Sequence, residues 1–154
     1  GQGLIDWDRY FDPLDAVYGW NRLYGGRGFA QYQCALPLAV SEAGLTEILE
    51  ETSRARQGAF LSVLKRFGPG SGRGISFPIE GYTLTMDFPM TVAALALMDR
   101  LDRIVERHGG RLYLAKDSRM RAGVFHRSYG EAGARFAATR DRGFASLLSE
   151  RLDL

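Results

Sequence analysis

Little in this sequence can bind a metal, form a disulfide or cross a bilayer. Its single cysteine, Cys34, excludes an internal disulfide framework and reads as a small core residue. The two histidines, His108 and His126, stand far apart without metal-ligand spacing, so no metal is expected. No apolar run approaches the roughly 20 residues of a membrane-spanning helix. A hydrophobic content of 45% with 25% charged residues fits a soluble globular chain. A cytoplasmic location without an integral membrane segment is therefore expected, with peripheral membrane contact left open. No signal peptide opens the sequence, and Gly1-Gln2-Gly3 reads as a cloning scar or an internal cut, so targeting information is expected to lie outside it.

Lysine is also scarce. Of 20 basic side chains only Lys65 and Lys116 are lysines. In a chain that supplies its surface cations as arginine, a retained lysine marks a place for a compact ammonium on a flexible stem. The alternative is an ordinary surface lysine. Neither residue sits in a charge run: Lys65 follows Phe60-Leu61-Ser62-Val63-Leu64, and Lys116 follows Gly109-Gly110-Arg111-Leu112-Tyr113-Leu114-Ala115. Residues 1–110 carry 11 basic against 13 acidic side chains, whereas 111–154 carry 9 against 5. The tail is the basic part, suited to an anionic partner, a solvated helix face or a surface meeting another domain.

The chain opens on an irregular, aromatic lead-in over residues 1–27. Phe29–Leu36 then reads as a strand closed by Pro37. A helix follows with Ser41 as N-cap and Leu45, Ile48, Leu49 and Thr52 at helical spacing. Phe60–Phe67 reads as a second strand. The glycine-rich stretch 68–74 lacks the Gly-Lys-Ser/Thr ending of a phosphate-binding loop and reads as a hairpin connection. Tyr82–Phe88 alternates cleanly, with Tyr82, Leu84, Met86 and Phe88 on one side and Thr83, Thr85 and Asp87 on the other. Thr91 can cap a second helix whose stripe is Ala94, Leu97, Met98, Leu101, Ile104 and Val105, stopped by Gly109-Gly110. Leu112–Leu114 is a short last strand, followed by helical pieces around 120–129 and 144–152.

The order is that of an α+β, ferredoxin-like β-α-β-β-α-β fold with a helical C-terminal segment. In it, helices cover one face of an antiparallel sheet, the first and third strands lie side by side, and the other face is open. Gln31, Gln33, Thr83 and Thr85 then place amides and hydroxyls at mid-sheet, a chemistry suited to orienting a hydroxylated ligand; the alternative is a merely solvated face.

Several blocks carry a family likeness. Val63-Leu64-Lys65-Arg66-Phe67-Gly68-Pro69-Gly70, Ser76-Phe77-Pro78, Gly81-Tyr82 through Asp87-Phe88-Pro89, and Gly109 through Arg119 resemble, in order, the C-terminal part of FAD-linked oxidases of the vanillyl-alcohol oxidase superfamily. Within that superfamily the blocks resemble the decaprenylphosphoryl-β-D-ribose 2′-oxidase group. Phe11-Asp12-Pro13-Leu14-Asp15, Trp20-Asn21-Arg22, Gly28-Phe29 and Gln31-Tyr32-Gln33 extend the likeness.

The resemblance implies that residues 1–110 are part of a substrate domain and 111–154 a segment returning to an FAD-binding domain whose N-terminal half is a missing partner. FAD is the implied cofactor and a sugar alcohol the implied substrate, with the chain inactive alone. Lys116 and Tyr113 resemble the catalytic, flavin-side pair; Gln31, Gln33, Lys65 and Phe67 resemble the pocket lining. Where members of the group carry an Asn and a Cys on the third strand, this chain has Thr83 and Thr85, so chemistry relying on that thiol is not expected. Two other classes compete: an RNA-binding module stacking bases on Tyr32 and Tyr82, which the acidic first two-thirds disfavour, and a non-catalytic ligand-sensing or oligomerisation domain.

Overall fold

A computed structural model describes residues 3–12, 15–141 and 143–154. Pro13 and Leu14, which belong to one of the resembling blocks, lie outside the described residues, as do Gly1 and Gln2 of the opening tripeptide. The lead-in holds a five-residue helix, α1 (Trp7–Phe11), and a 3₁₀ turn, Trp20–Tyr24. Two nine-residue strands follow at the centre of the fold. β1 (Phe29–Pro37) runs antiparallel to a later strand, Gly81–Pro89, along its whole length, from Phe29 opposite Pro89 to Pro37 opposite Gly81. Between them come α2 (Ser41–Arg54) and β2 (Ser62–Phe67), which makes the strand at Gly81–Pro89 β3. After β3 come α3 (Val92–Arg107), the two-residue β4 (Arg111–Leu112), α4 (Ala122–Thr139) and α5 (Leu147–Arg151). The sheet order is β2-β3-β1-β4, antiparallel throughout. The α+β class, the β-α-β-β-α-β order and the central pairing of first and third strands are those expected.

The core lies on one side of the sheet because alternate strand residues are apolar. Tyr32, Cys34 and Leu36 of β1, Leu84, Met86 and Phe88 of β3, and Leu112 of β4 pack with Ile48 of α2 and with Leu97, Leu101 and Val105 of α3. Burying each of the larger side chains contributes about 1.5–3 kcal/mol. α3 starts where Thr91 Oγ1 accepts the Ala94 N–H at 3.1 Å. It stops at Gly109, whose φ of +63° is costly for other residues. Gly110 must be small as well, since a Cβ there would lie 2.6 Å from the Ala35 carbonyl.

Three expectations need correction. Ser41 is not an N-cap. A 3₁₀ turn, Leu38–Val40, runs straight into α2, and the Ser41 hydroxyl donates backwards to the carbonyls of Leu36 and Pro37 at 3.0 and 2.8 Å. Leu49 is exposed, because α2 turns only a narrow stripe, Ile48 and Gly44, fully inward. The tail is more helical than its periodicity suggested: α4 continues to Thr139 past a break at Gly130 (φ 48°, ψ −131°), while α5 is shorter than the expected span. The tail also contributes Met120, Val124, Phe125, Tyr129 and Leu152 to the same core as the strands.

Candidate functional site

Residues opposite one another on a sheet ladder project from the same face. The register therefore assembles the non-core face row by row. One row is Lys65, Thr83, Ala35 and Arg111; the next is Val63, Thr85 and Gln33; the third pairs Gln31 with Asp87; and Phe67 stands opposite Gly81. Tyr113 joins the second row, as its backbone N–H donates to the Gln33 carbonyl at 2.9 Å. Gln31, Gln33, Lys65, Phe67, Thr83, Thr85 and Tyr113 thus share one face, though they come from segments separated by up to about 80 residues of sequence.

That face is not open. Thr83 and Asp87 are 1% and 2% exposed. At one end the Tyr24 hydroxyl donates to Asp87 Oδ2 at 2.7 Å, and Tyr24 stacks on Phe29, centroids 3.9 Å apart. At the other, the loop after β2 folds back over the sheet. Phe77 stacks on Tyr113 at 4.5 Å, meets Phe67 edge-on at 5.8 Å, and its neighbour Ser76 offers its carbonyl to Arg111 at 2.8 Å. The face expected to be open is therefore a partly roofed one. Within it, Gln31 Nε2 donates to Asp87 Oδ1 at 2.7 Å and Gln33 Nε2 to Thr83 Oγ1 at 3.2 Å.

β4 ends after two residues, which leaves the N-terminal half of β1 without a strand on the edge away from β3. The chain instead forms a 3₁₀ turn, Leu114–Lys116, and a cleft remains between the turn and β1. Gln31, Gln33, Tyr113 and Lys116 all line it. Lys116 and Lys65 are exposed, and neither forms an ion pair with a described residue, whereas eight arginines do. The turn is held from behind. Asp117 Oδ1 accepts the N–H groups of Arg119 and Met120, and its Oδ2 accepts from Arg151 of α5 at 2.8 Å. Arg119 grips Asp102 of α3 with two bonds of 2.7 and 3.0 Å and Asp99 with a third of 2.8 Å. Burial holds the Asp102 carboxyl above its ordinary range despite the opposing pull of Arg119. Lys116 is thus a free cation mounted on an anchored backbone.

The chain is 39% identical, over 95% of its length, to decaprenylphosphoryl-β-D-ribose oxidase of Mycolicibacterium smegmatis. That relative is an FAD-linked oxidase, and the match extends over nearly the whole of this chain. It is also 34% identical, over 75% of its length, to an uncharacterised protein in the mprA 5′ region of Streptomyces coelicolor. It spans 32% of the length of each of these two relatives. No family model matches it.

Within this oxidase relationship the structure brings together Lys116, Tyr113, Gln31 and Gln33 around one cleft, and sets Thr83 and Thr85 beside them on the same face. Lys65 and Phe67 share the face but stand on β2, the edge strand away from the cleft. Tyr32 and Tyr82, the bases' stacking platform in the RNA-binding alternative, lie on the other face, Tyr32 buried in the core. Sequence reasoning missed Tyr24, which reaches Asp87 across 63 residues, and treated Asp117 and Arg119 only as part of a motif. The one available signal was Asp87 itself, a charge inside an otherwise apolar and hydroxylic strand.

Proposed function

We propose that this chain is the substrate-binding C-terminal portion of an FAD-dependent oxidoreductase that oxidises a secondary alcohol on a sugar, of the polyprenyl-phosphoryl sugar class. Residues 1–110 act as the partial substrate domain, and 111–154 as the segment that returns to an FAD-binding domain. The observation that carries this reading is the convergence, at one cleft edge, of an unpaired ammonium, a phenol and two amides. These groups suit an alcohol, which must be both oriented and relieved of a proton. The name of the mycolicibacterial relative, a ribose oxidase, supports the substrate class.

The donor set fits a flavin neighbour: Lys116 offers a positive charge without a competing carboxylate, and Tyr113 a hydroxyl held by the Phe77 stack. Bound FAD would supply the hydride acceptor. Lys116 stabilises negative charge developing on the substrate oxygen or at the cofactor edge, an effect enlarged when water is excluded. Tyr113 hydrogen-bonds that oxygen and relays its proton. Gln31 and Gln33 orient the sugar, and Lys65, with Phe67, Thr83 and Thr85 nearby, receives an anionic group such as the phosphate. An apolar groove among Phe136, Phe144, Leu148 and Leu152, and the exposed Trp7, Tyr10 and Phe11, are surfaces that a covering flavin domain would bury. Isolated, the chain is inactive.

The test is flavin reduction by a short-chain prenylphosphoryl ribose in the full-length flavoprotein. Lys116→Ala should retain flavin yet slow reduction by about 100-fold or more. An unchanged rate would remove Lys116 from the chemistry.

A further inference from the structure

Asp87 is a buried carboxylate with no ion-pair partner among the described residues, an arrangement that is costly unless both oxygens are hydrogen-bonded. They are: Oδ2 accepts from Tyr24 and Oδ1 from Gln31, each at 2.7 Å. A carboxylate only accepts, so the end of the Gln31 amide that meets it has to be the NH₂ group. The carbonyl end is left over. Gln31 Oε1 takes no hydrogen bond from any described residue, and Gln31 lines the cleft shared with Tyr113 and Lys116.

The neighbouring glutamine differs. Gln33 is tied to the Thr83 hydroxyl, which both donates and accepts, so its amide can turn over at small cost and present either end to a ligand. One glutamine in the cleft has a fixed polarity and the other an adaptable one.

We propose that Asp87 is a positioning residue which, by fixing the Gln31 amide, makes Oε1 an obligatory acceptor and so commits the site to a ligand carrying a hydroxyl donor beside its reacting carbon. Among sugars, this selects one that keeps the hydroxyl next to its reacting carbon over the analogue that lacks it. This inference rests on the oxidase function proposed above. A buried or enclosed acceptor left without its donor is costly, which is how a site rejects an analogue lacking one hydroxyl.

The experiment uses the full-length flavoprotein, a short-chain prenylphosphoryl ribose and its mono-deoxy analogues, with flavin reduction giving kcat and KM separately. In the wild type, removing one non-reacting hydroxyl should raise KM by about tenfold or more. Asp87→Asn introduces an amide N–H beside Gln31 and releases its orientation. That variant should lose most of the parent-over-deoxy preference through KM, with kcat changed less. The exchanged pair Gln31→Glu with Asp87→Asn restores an acceptor-only group at residue 31 and one carboxylate in the pair, and should keep the preference.

Wild-type selectivity retained by Asp87→Asn would overturn the inference, as would its loss in the exchanged pair with flavin content and melting temperature unchanged. Should Asp87→Asn fail to fold, the exchanged pair decides. If no ribosyl compound reduces the wild-type flavin, the oxidase function fails and the inference with it. Reduction without any deoxy discrimination fails the inference alone.

Discussion

The two faces of the central sheet are built from alternate residues of the same strands and are almost equally buried at their centre, yet opposite in chemistry. On one side Cys34, Leu84, Met86 and Phe88 pack against helices; on the other Thr83 and Asp87 are just as inaccessible but hydrogen-bonded. The helical face is held by contact area, which is non-directional and tolerates exchange among apolar residues. The polar face is held by donors and acceptors whose orientation matters, because each unpaired buried group costs about 1–3 kcal/mol. A face that must keep its polar groups in order is suited to recognising a ligand. A face that merely excludes water is suited to holding the fold.

Three substitutions probe this contrast in order of effect. Phe88→Ala, at a fully buried position of the helical face, should cost about 3–5 kcal/mol, read as a lower midpoint of denaturant unfolding. Arg119→Ala places the contrast under strain, since it removes the cation from a buried carboxylate on the helical side. With Asp102 left unpaired a loss of about 3 kcal/mol is expected. That loss should lessen as the pH falls, because removing Arg119 takes away the pull that lowers the Asp102 carboxyl against its burial, so the variant's folded state takes up this proton at a higher pH than the wild type's. Thr83→Val on the polar face leaves volume nearly unchanged and should cost only about 1 kcal/mol, from the unsatisfied Gln33 amide. If Thr83→Val proved as damaging as Phe88→Ala, the polar face would be a second core rather than a recognition surface.

The strands and the α3 helix were legible because their signals are local: a period of two in β3, a 3.6-residue stripe with a Thr cap and a Gly-Gly stop in α3. The start of α2 was misread because Ser41 has the composition of a cap while the preceding 3₁₀ turn removes the need for one. The candidate site was legible as residue types, chiefly two lysines in an arginine-rich chain and a polar stripe on β3. Its arrangement was not. Tyr24 closes over Asp87 from a segment whose sequence reads only as aromatic and irregular, and Phe77, quoted only as part of a resembling block, reaches Tyr113 from beyond the glycine-rich stretch 68–74. Such contacts join residues 36 and more positions apart and leave no periodic trace.

By itself the sequence determined which stretches become strands and helices, which side of each is apolar, and where the cations are scarce, since those properties depend on neighbours a few residues away. Only the tertiary structure decided the register that aligns Gln31 with Asp87 and Gln33 with Thr85, the early end of β4 that opens the cleft, and the anchoring of the Lys116 turn by Arg119 and Arg151. These are set by loop closure and by pairing between distant segments, whose free energy depends on the whole packed arrangement rather than on any local pattern.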